Sequence, residues 1–214
     1  MKLKILFYIL INMFKKKIIY KKTGFSLIEV LISISIFLII SIISYNFIAT
    51  GFRTSRFESE QATAIQEARK AMETIEKNIK MANDASDGSY AIEKAQSQEL
   101  IIYSDIIEDS NNFTEKIKFF IDTNTNELKK IITEYNPIDQ LYNSTISTTT
   151  ISKYANNQLE PLFHYYNNNG TATTIINEIR RIKFSIKINV TPTIAPNDYY
   201  LESDITLRNL KDNL

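Results

Sequence analysis

The chain has 214 residues, with 25 basic and 24 acidic side chains, one histidine and no cysteine. The nearly neutral balance gives no indication of a nucleic-acid partner, and the lack of cysteine excludes disulfide bonds and thiolate metal sites. The charge is uneven along the chain, because the first 24 residues hold seven lysines and no acid. The length is sufficient for one domain with a hydrophobic core.

Residues 25–48 form an almost wholly apolar run in which Glu29 is the only charge. As a helix the run would be about 36 Å long, enough to cross the roughly 30 Å hydrocarbon core of a membrane. The preceding lysines predict a cytoplasmic N-terminus, with the residues after Phe52 outside the cytoplasm. A secretory signal peptide fits poorly, because its apolar region is shorter and a small-residue cleavage site follows it. Hydropathy alone leaves a plain single-pass anchor open.

Glu29 separates these alternatives, because an ordinary anchor has no need for a carboxylate near the start of its spanning segment. A carboxylate costs about 2.5–3.5 kcal/mol at mid-membrane and less near the interface. In residues 21–31, KKTGFSLIEVL, basic residues precede Gly24, Phe25 follows it, and the acid is the fifth residue after the glycine. This pattern resembles the type IV prepilin signature, which is shared by type IV pilins, type II secretion pseudopilins and competence pilins.

The resemblance implies that residues 1–24 are a prepilin leader. A membrane aspartyl prepilin peptidase would cut between Gly24 and Phe25, and Phe25 would then be N-methylated. Glu29 would face the new amino terminus of a neighbouring subunit, since a buried carboxylate persists when it is paired with a cation. A Glu29 side chain that reaches the lipid headgroups is the alternative. Translation from Met13 instead of Met1 would give a leader of more ordinary length.

Residues 49–82 predict that the helix continues beyond the membrane as an amphipathic segment. Apolar residues recur there at spacings of three and four and form one stripe. The stripe consists of Ile65, Ala68, Met72, Ile75, Ile79 and Ala82. It is too short for a typical coiled coil, so we expect it to pack against a sheet. Asn83 and Gly88 are among the stop and turn signals that follow.

Residues 83–214 are expected to form a β-rich globular domain. Several segments show strand patterns, and two of them flank a four-residue turn and predict a hairpin. These segments are residues 97–105, 116–122, 127–135, 159–166, 183–190 and 199–210. Residues 183–190 alternate apolar and polar side chains, which predicts a half-buried antiparallel strand with residues 199–210 as its neighbour. Residues 136–158, rich in Asn, Ser and Thr, are interpreted as a long loop with room for a short strand.

One long helix followed by a run of strands predicts an α+β fold in which the helix packs on an antiparallel β-sheet. This order of elements resembles that of the larger minor pilins and the tip-complex pseudopilins. The resemblance implies a minor subunit of a filament, with a pilin-like fold.

No catalytic, metal or cofactor site is expected from the sequence. His164 is the only histidine, so a zinc site with two histidines is excluded and a serine triad would have to use this residue. Its aromatic neighbours indicate a strand and a structural role. Asp122, Asn124 and Asn126 match the first positions of a calcium loop, but Glu127 stands where that loop needs glycine. A hairpin turn explains these three residues better.

The sequence therefore predicts a structural protein, not an enzyme: a minor pilin or pseudopilin, cut after Gly24 and assembled into an extracytoplasmic filament with a priming or tip role. Expected partners are other pilins or pseudopilins, the prepilin peptidase, an assembly platform protein and, before assembly, membrane lipid. The precursor is expected in the cytoplasmic membrane and the product in a surface or periplasmic filament. The alternative is an unprocessed single-pass protein that carries a binding or sensor domain.

Overall fold

The computed structural model describes residues 24–107, 113–195 and 197–207. The predicted leader therefore lies outside the described residues, except for Gly24. The chain divides into two compact units, of which the first ends at Gly51 and the second begins at Phe52.

One long helix, α1, spans Leu27–Lys80. It begins and ends two residues inside the segment 25–82 that the sequence predicts as helical. In the first unit its side chains are almost all exposed, and none is buried. By length and composition this part is able to cross a membrane, with a mean hydropathy of 2.7 over its most apolar window.

Within the second unit, the predicted apolar stripe of α1 is buried. The buried residues of the helix are Ala64, Ala68, Ala71, Met72, Ile75, Asn78 and Ile79. Ile65, which the spacing placed in the stripe, is only half-buried, and Ala64 lies inside in its place. These side chains belong to one hydrophobic cluster with buried strand residues, so the prediction that the stripe packs against sheet is confirmed.

The strands form two antiparallel sheets, where the sequence led us to expect one. The first is a five-stranded meander in the order β1-β2-β3-β4-β5. Its strands are Ile92–Ala95, Glu99–Ser104, Glu115–Asp122, Glu127–Asn136 and Leu141–Ser152. The second is a three-stranded meander, β6-β7-β8, made of Phe163–Tyr166, Arg181–Ile188 and Tyr199–Thr206. A short 3-10 helix, Ile176–Glu178, precedes β7.

The helix stripe and both sheets contribute to one hydrophobic cluster. Ile75 and Ile79 from α1, Phe119 from β3 and Phe184 from β7 are fully buried members of it. Full burial of each such side chain contributes roughly 1.5–3 kcal/mol. The observed α+β architecture, a long N-terminal helix on antiparallel sheet, confirms the predicted fold class.

The prediction of a long loop at residues 136–158 is wrong, because β5 occupies Leu141–Ser152 and pairs with β4 along its whole length. Most side chains of β5 are exposed, so the strand shows no apolar alternation in the sequence. Backbone pairing with β4 holds it instead, with three register shifts that accommodate extra residues. The short edge strand β1 was also not predicted.

The other strand predictions are confirmed. The hairpin of β3 and β4 pairs Asp122 with Glu127 across its turn, and β7 pairs with β8 throughout. The two weaker patterns became β2 and β6. The segment predicted as 199–210 gives β8 as far as Thr206, and its last three residues lie outside the described part of the chain.

Candidate functional site

The predicted cleavage bond lies just before the helix, outside regular secondary structure. Residues 24–26 precede α1, and the Phe25 side chain is 83% exposed. Among the described residues, no atom beyond its chain neighbours lies within 4 Å of where a Cβ on Gly24 would sit. An exposed, irregular peptide bond is the kind that a protease can reach without unfolding its surroundings. Cleavage between Gly24 and Phe25 stays a prediction.

Glu29 and Ser26 cap the N-terminus of α1 reciprocally. The Ser26 backbone N–H donates to the Glu29 carboxylate at 2.9 Å, and the Glu29 backbone N–H donates to Ser26 Oγ at 3.3 Å. This is the capping-box arrangement, in which two otherwise unpaired backbone donors are satisfied. The carboxylate also lies at the positive end of the helix dipole, where a negative charge is favoured.

From the sequence, Glu29 is predicted to pair between subunits, and its local capping role is not predicted. Ser26 is not among the predicted site residues, although a serine followed three residues later by glutamate signals a capping box. Within one chain the acid thus has hydrogen-bond partners before any neighbour arrives. Its predicted role in assembly remains untested by this geometry.

Three serine hydroxyl groups farther along the apolar part of α1 also donate to carbonyl groups of the same helix. Ser33 Oγ donates to the Glu29 carbonyl at 2.7 Å, and Ser41 Oγ donates to the Phe37 carbonyl at 2.7 Å. Ser35 makes the same bond, to Leu31, at 2.8 Å. These bonds let serine side chains lie in hydrocarbon without an unpaired hydroxyl.

Charged residues of the second unit form pairs that support the sheets. Lys94 and Lys118 contact the Glu99 carboxylate at 2.7 and 3.1 Å. Burial raises the pKa of Glu99, but the hydrogen bonds and charges of the two lysines outweigh it and hold this pKa below its usual value. The three strands that carry these residues are thereby joined across their exposed face.

The calcium-like residues form the turn of the β3–β4 hairpin, as the sequence reading favoured. Asp122 accepts hydrogen bonds from the Asn124 backbone N–H at 3.0 Å and from Lys129 Nζ at 2.6 Å. The Lys129 hydrogen bond lowers the pKa of the Asp122 carboxyl. His164 lies on β6 opposite Lys183, which confirms its assignment to a strand. The described residues contain no cluster of three or more His, Cys, Asp or Glu side chains suited to a metal ion.

Comparison with known families supports the reading of the N-terminal segment. A family model described as the prokaryotic N-terminal methylation motif matches residues 19–45, a range that includes Gly24, Phe25 and Glu29. No curated protein matches the chain. The match covers the membrane-compatible part of α1 and supports a type IV prepilin-like N-terminus.

Proposed function

We propose that the protein is a minor pilin or pseudopilin, processed after Gly24 and assembled through α1 into an extracytoplasmic filament of the type IV pilus class. The observation that carries the proposal is the N-terminal arrangement. An exposed, irregular Gly24–Phe25 bond is followed at once by a helix whose first turn holds Glu29 and whose next turns carry no further charge. The family match over residues 19–45 supports the same conclusion.

The chemistry of assembly follows from the new amino terminus. Cleavage would turn the Phe25 nitrogen into a charged amine, which needs an anion once it leaves water. Glu29 is the only acid between Gly24 and Arg53, so the carboxylate of a neighbouring copy is the available partner. Its bond to the Ser26 N–H would be exchanged for, or shared with, this stronger charge-assisted bond.

One face of α1 is suited to contact other helices. At 3.6 residues per turn, Glu29, Ser33 and Ser44 fall within about 60° of one another around the helix. Small and polar side chains are enriched where membrane helices meet, because they let backbones approach closely. We therefore propose that this face contacts neighbouring subunits in the filament.

The size of the second unit supports a minor subunit. Its two sheets and the packed half of the helix resemble the larger minor pilins and tip-complex pseudopilins in the order of their elements. Such subunits prime or cap a filament and need no active site. The partners would be other pilins or pseudopilins, the prepilin peptidase and the assembly platform, in a pilus, a secretion machine or a DNA-uptake system.

The decisive test is N-terminal mass spectrometry of the protein purified from cells, with and without the prepilin peptidase. We expect a mature chain that starts with N-methylated Phe25, and its absence when Gly24 is replaced by Leu. An intact N-terminus at Met1 or Met13 would contradict the proposal and support an anchored binding or sensor protein.

Assembly is tested separately with Glu29→Gln, which keeps the size of the side chain and removes its charge. We expect normal cleavage but at least a tenfold loss of the protein from sheared filaments. Glu58→Gln is the matched control, because Glu58 is an exposed acid on the same helix. Ser26→Ala removes the cap and leaves the charge, so it should still assemble. Filament yields from Glu29→Gln equal to those from Glu58→Gln would refute the pairing role.

A further inference from the structure

Strand β5 forms an open edge of the five-stranded sheet. It is the last strand in the order of that sheet, and it pairs on one side with β4. On its other side, no backbone hydrogen bond joins Leu141–Ser152 to the described part of the chain. Such a row of unpaired N–H and C=O groups is a template for pairing with a strand of another chain.

The other edges of the two described sheets are protected against such pairing in ways that natural proteins commonly use. Strand β1 is only four residues long. The outer side of β6 is covered by the segment that follows it, where the Thr173 N–H donates to the Tyr165 carbonyl at 3.0 Å. Strand β8 carries Glu202 and Asp204, which are both exposed. An open edge is therefore a particular feature of β5.

Strand β5 is long and uncharged, in contrast to these edges. It has 12 residues, and none of them is charged or is a proline. Most of its side chains are exposed, including Ile146 at 47%. Three register shifts with β4 interrupt the strand, but residues 147–150 lie between two of them and pair with residues 129–132 without a break. An uncharged stretch in regular pairing thus remains near the centre of the edge.

A second copy of β5 matches this edge in its chemistry. Two uncharged strands do not repel, and cross-strand pairs of threonine and serine stabilise a strand pair. An antiparallel self-pair centred on Ser147 places Thr145 opposite Thr149 of the other copy. Ser144 then lies opposite Thr150. Antiparallel strands exchange about one backbone hydrogen bond per paired residue, so β5 supplies about the ten direct bonds of a typical protein interface.

We propose that two copies of the protein associate through β5, in an antiparallel pair that joins their five-stranded sheets into one continuous sheet. Antiparallel pairing of identical strands is isologous, so it closes at a dimer and does not continue into a fibre. The pair buries few apolar side chains, so we expect a weak dimer with a Kd in the micromolar range. The contact is made by the second unit and does not depend on cleavage at Gly24 or on filament assembly.

The first test is sedimentation of the full chain in density-matched detergent micelles, over the micromolar range of protein concentration. Thr148→Lys places a charge near the centre of the edge, where the two copies bring like charges close together. We expect the parent chain to dimerise and Thr148→Lys to dimerise at least tenfold more weakly. Thr206→Lys is the matched control, because Thr206 is an exposed threonine on the edge strand β8 and should leave dimerisation unchanged. The unfolding temperatures of both variants show that they fold.

Spin labels then locate the contact, since the chain has no cysteine and an introduced one is labelled alone. Asn143→Cys, Thr145→Cys and Thr148→Cys are labelled in separate samples, and the distance between the two labels of each dimer is measured by pulsed electron paramagnetic resonance. In an antiparallel pair this distance changes by about 6–7 Å for each residue from the twofold axis, so the three samples should differ. A monomeric parent chain, equal distances in the three samples, or dimerisation of Thr148→Lys as strong as that of the parent would each overturn the proposal. The last result would assign the association to α1 instead.

Discussion

The two parts of helix α1 use apolar side chains in opposite ways. No residue from Leu27 to Gly51 is buried, although this is the most apolar stretch of the molecule. Between Ala64 and Ile79, seven residues are buried within a segment that is far more polar. A helix that is apolar all round must find its partner outside the fold, whereas an amphipathic one finds it inside.

The largest expected effect on stability comes from replacing an isoleucine with alanine in the packed half of α1, compared with the same substitution in the apolar half. Ile75→Ala deletes a fully buried side chain and should lower the free energy of unfolding of the second unit by about 2–5 kcal/mol. Ile39→Ala, where the side chain is 59% exposed, should leave it unchanged. Denaturant unfolding of both variants in micelles, followed by circular dichroism of the β-rich unit, makes the comparison. Equal losses would contradict it.

A smaller and local effect is expected at the start of the helix. Ser26→Ala removes the hydroxyl that accepts from the Glu29 N–H and should destabilise the first turn by about 0.5–2 kcal/mol. Hydrogen exchange at the amides of the first turn should accelerate, while the unfolding temperature of the second unit stays constant. Ser35→Ala, in the middle of the apolar part, is the control. Unchanged exchange in Ser26→Ala would show that the cap contributes nothing.

Substitution of Lys130 on β4 tests how burial and a neighbouring charge affect the stability of the second unit. Burial, and then the charge of Lys77 on α1, lowers its pKa. The unfolded chain thus binds the proton more tightly than the folded one, so stability should rise with pH between the folded pKa and the ordinary lysine value of about 10.4.

Lys130→Met should remove that rise and increase the unfolding temperature at neutral pH by about 2 °C, a modest value because the site is partly exposed. Lys70→Met, at an exposed position of α1, should do neither. A lower unfolding temperature in Lys130→Met would show that the lysine is stabilising where it stands.

The smallest effect is expected at the ion pair between Glu76 and Lys80, which lie one turn apart on α1. Both side chains are partly exposed, so Glu76→Gln should cost only about 0.3–0.5 kcal/mol. The loss should disappear in molar salt, which screens exposed charges. A loss that persists at high salt would indicate packing rather than charge.

Elements with a clear hydrophobic period were predictable from the sequence. The stripe on α1 and the alternation in β7 record which side chains face the core, because burial is what repeats at those spacings. Phe184, Ile186 and Ile188 are all fully buried, as the alternation predicts. The β3–β4 turn was equally readable, since its Asn and Thr residues favour turns over strand interiors.

Strand β5 and the division into two sheets could not be predicted from the sequence, because both depend on pairing between distant segments. Strand β5 contains Thr and Ser at most positions and is exposed along most of its length, so only its ladder with β4 identifies it as a strand. The division into two sheets likewise depends on which strands become neighbours, and this leaves no periodic signal.

Gly24, Phe25 and Glu29 form a local motif that could be found from the sequence, and the spacing of Ser26 and Glu29 also signals their cap. The positive φ of Tyr154 could not be found in this way, because it arises where separate connections meet.

The internal hydrogen bonds of the apolar part of α1 have a consequence for how a filament could grow. Lipid tails and the side chains of other helices are equally apolar, so moving the helix from one to the other yields almost no hydrophobic free energy. The hydroxyl groups of Ser33, Ser35 and Ser41 keep their carbonyl partners in either environment and also contribute little. Transfer is therefore close to energetically neutral along most of the segment. If the chain assembles as proposed, the direction of movement would come from applied mechanical work and from the pairing of the Glu29 carboxylate with the new Phe25 amine.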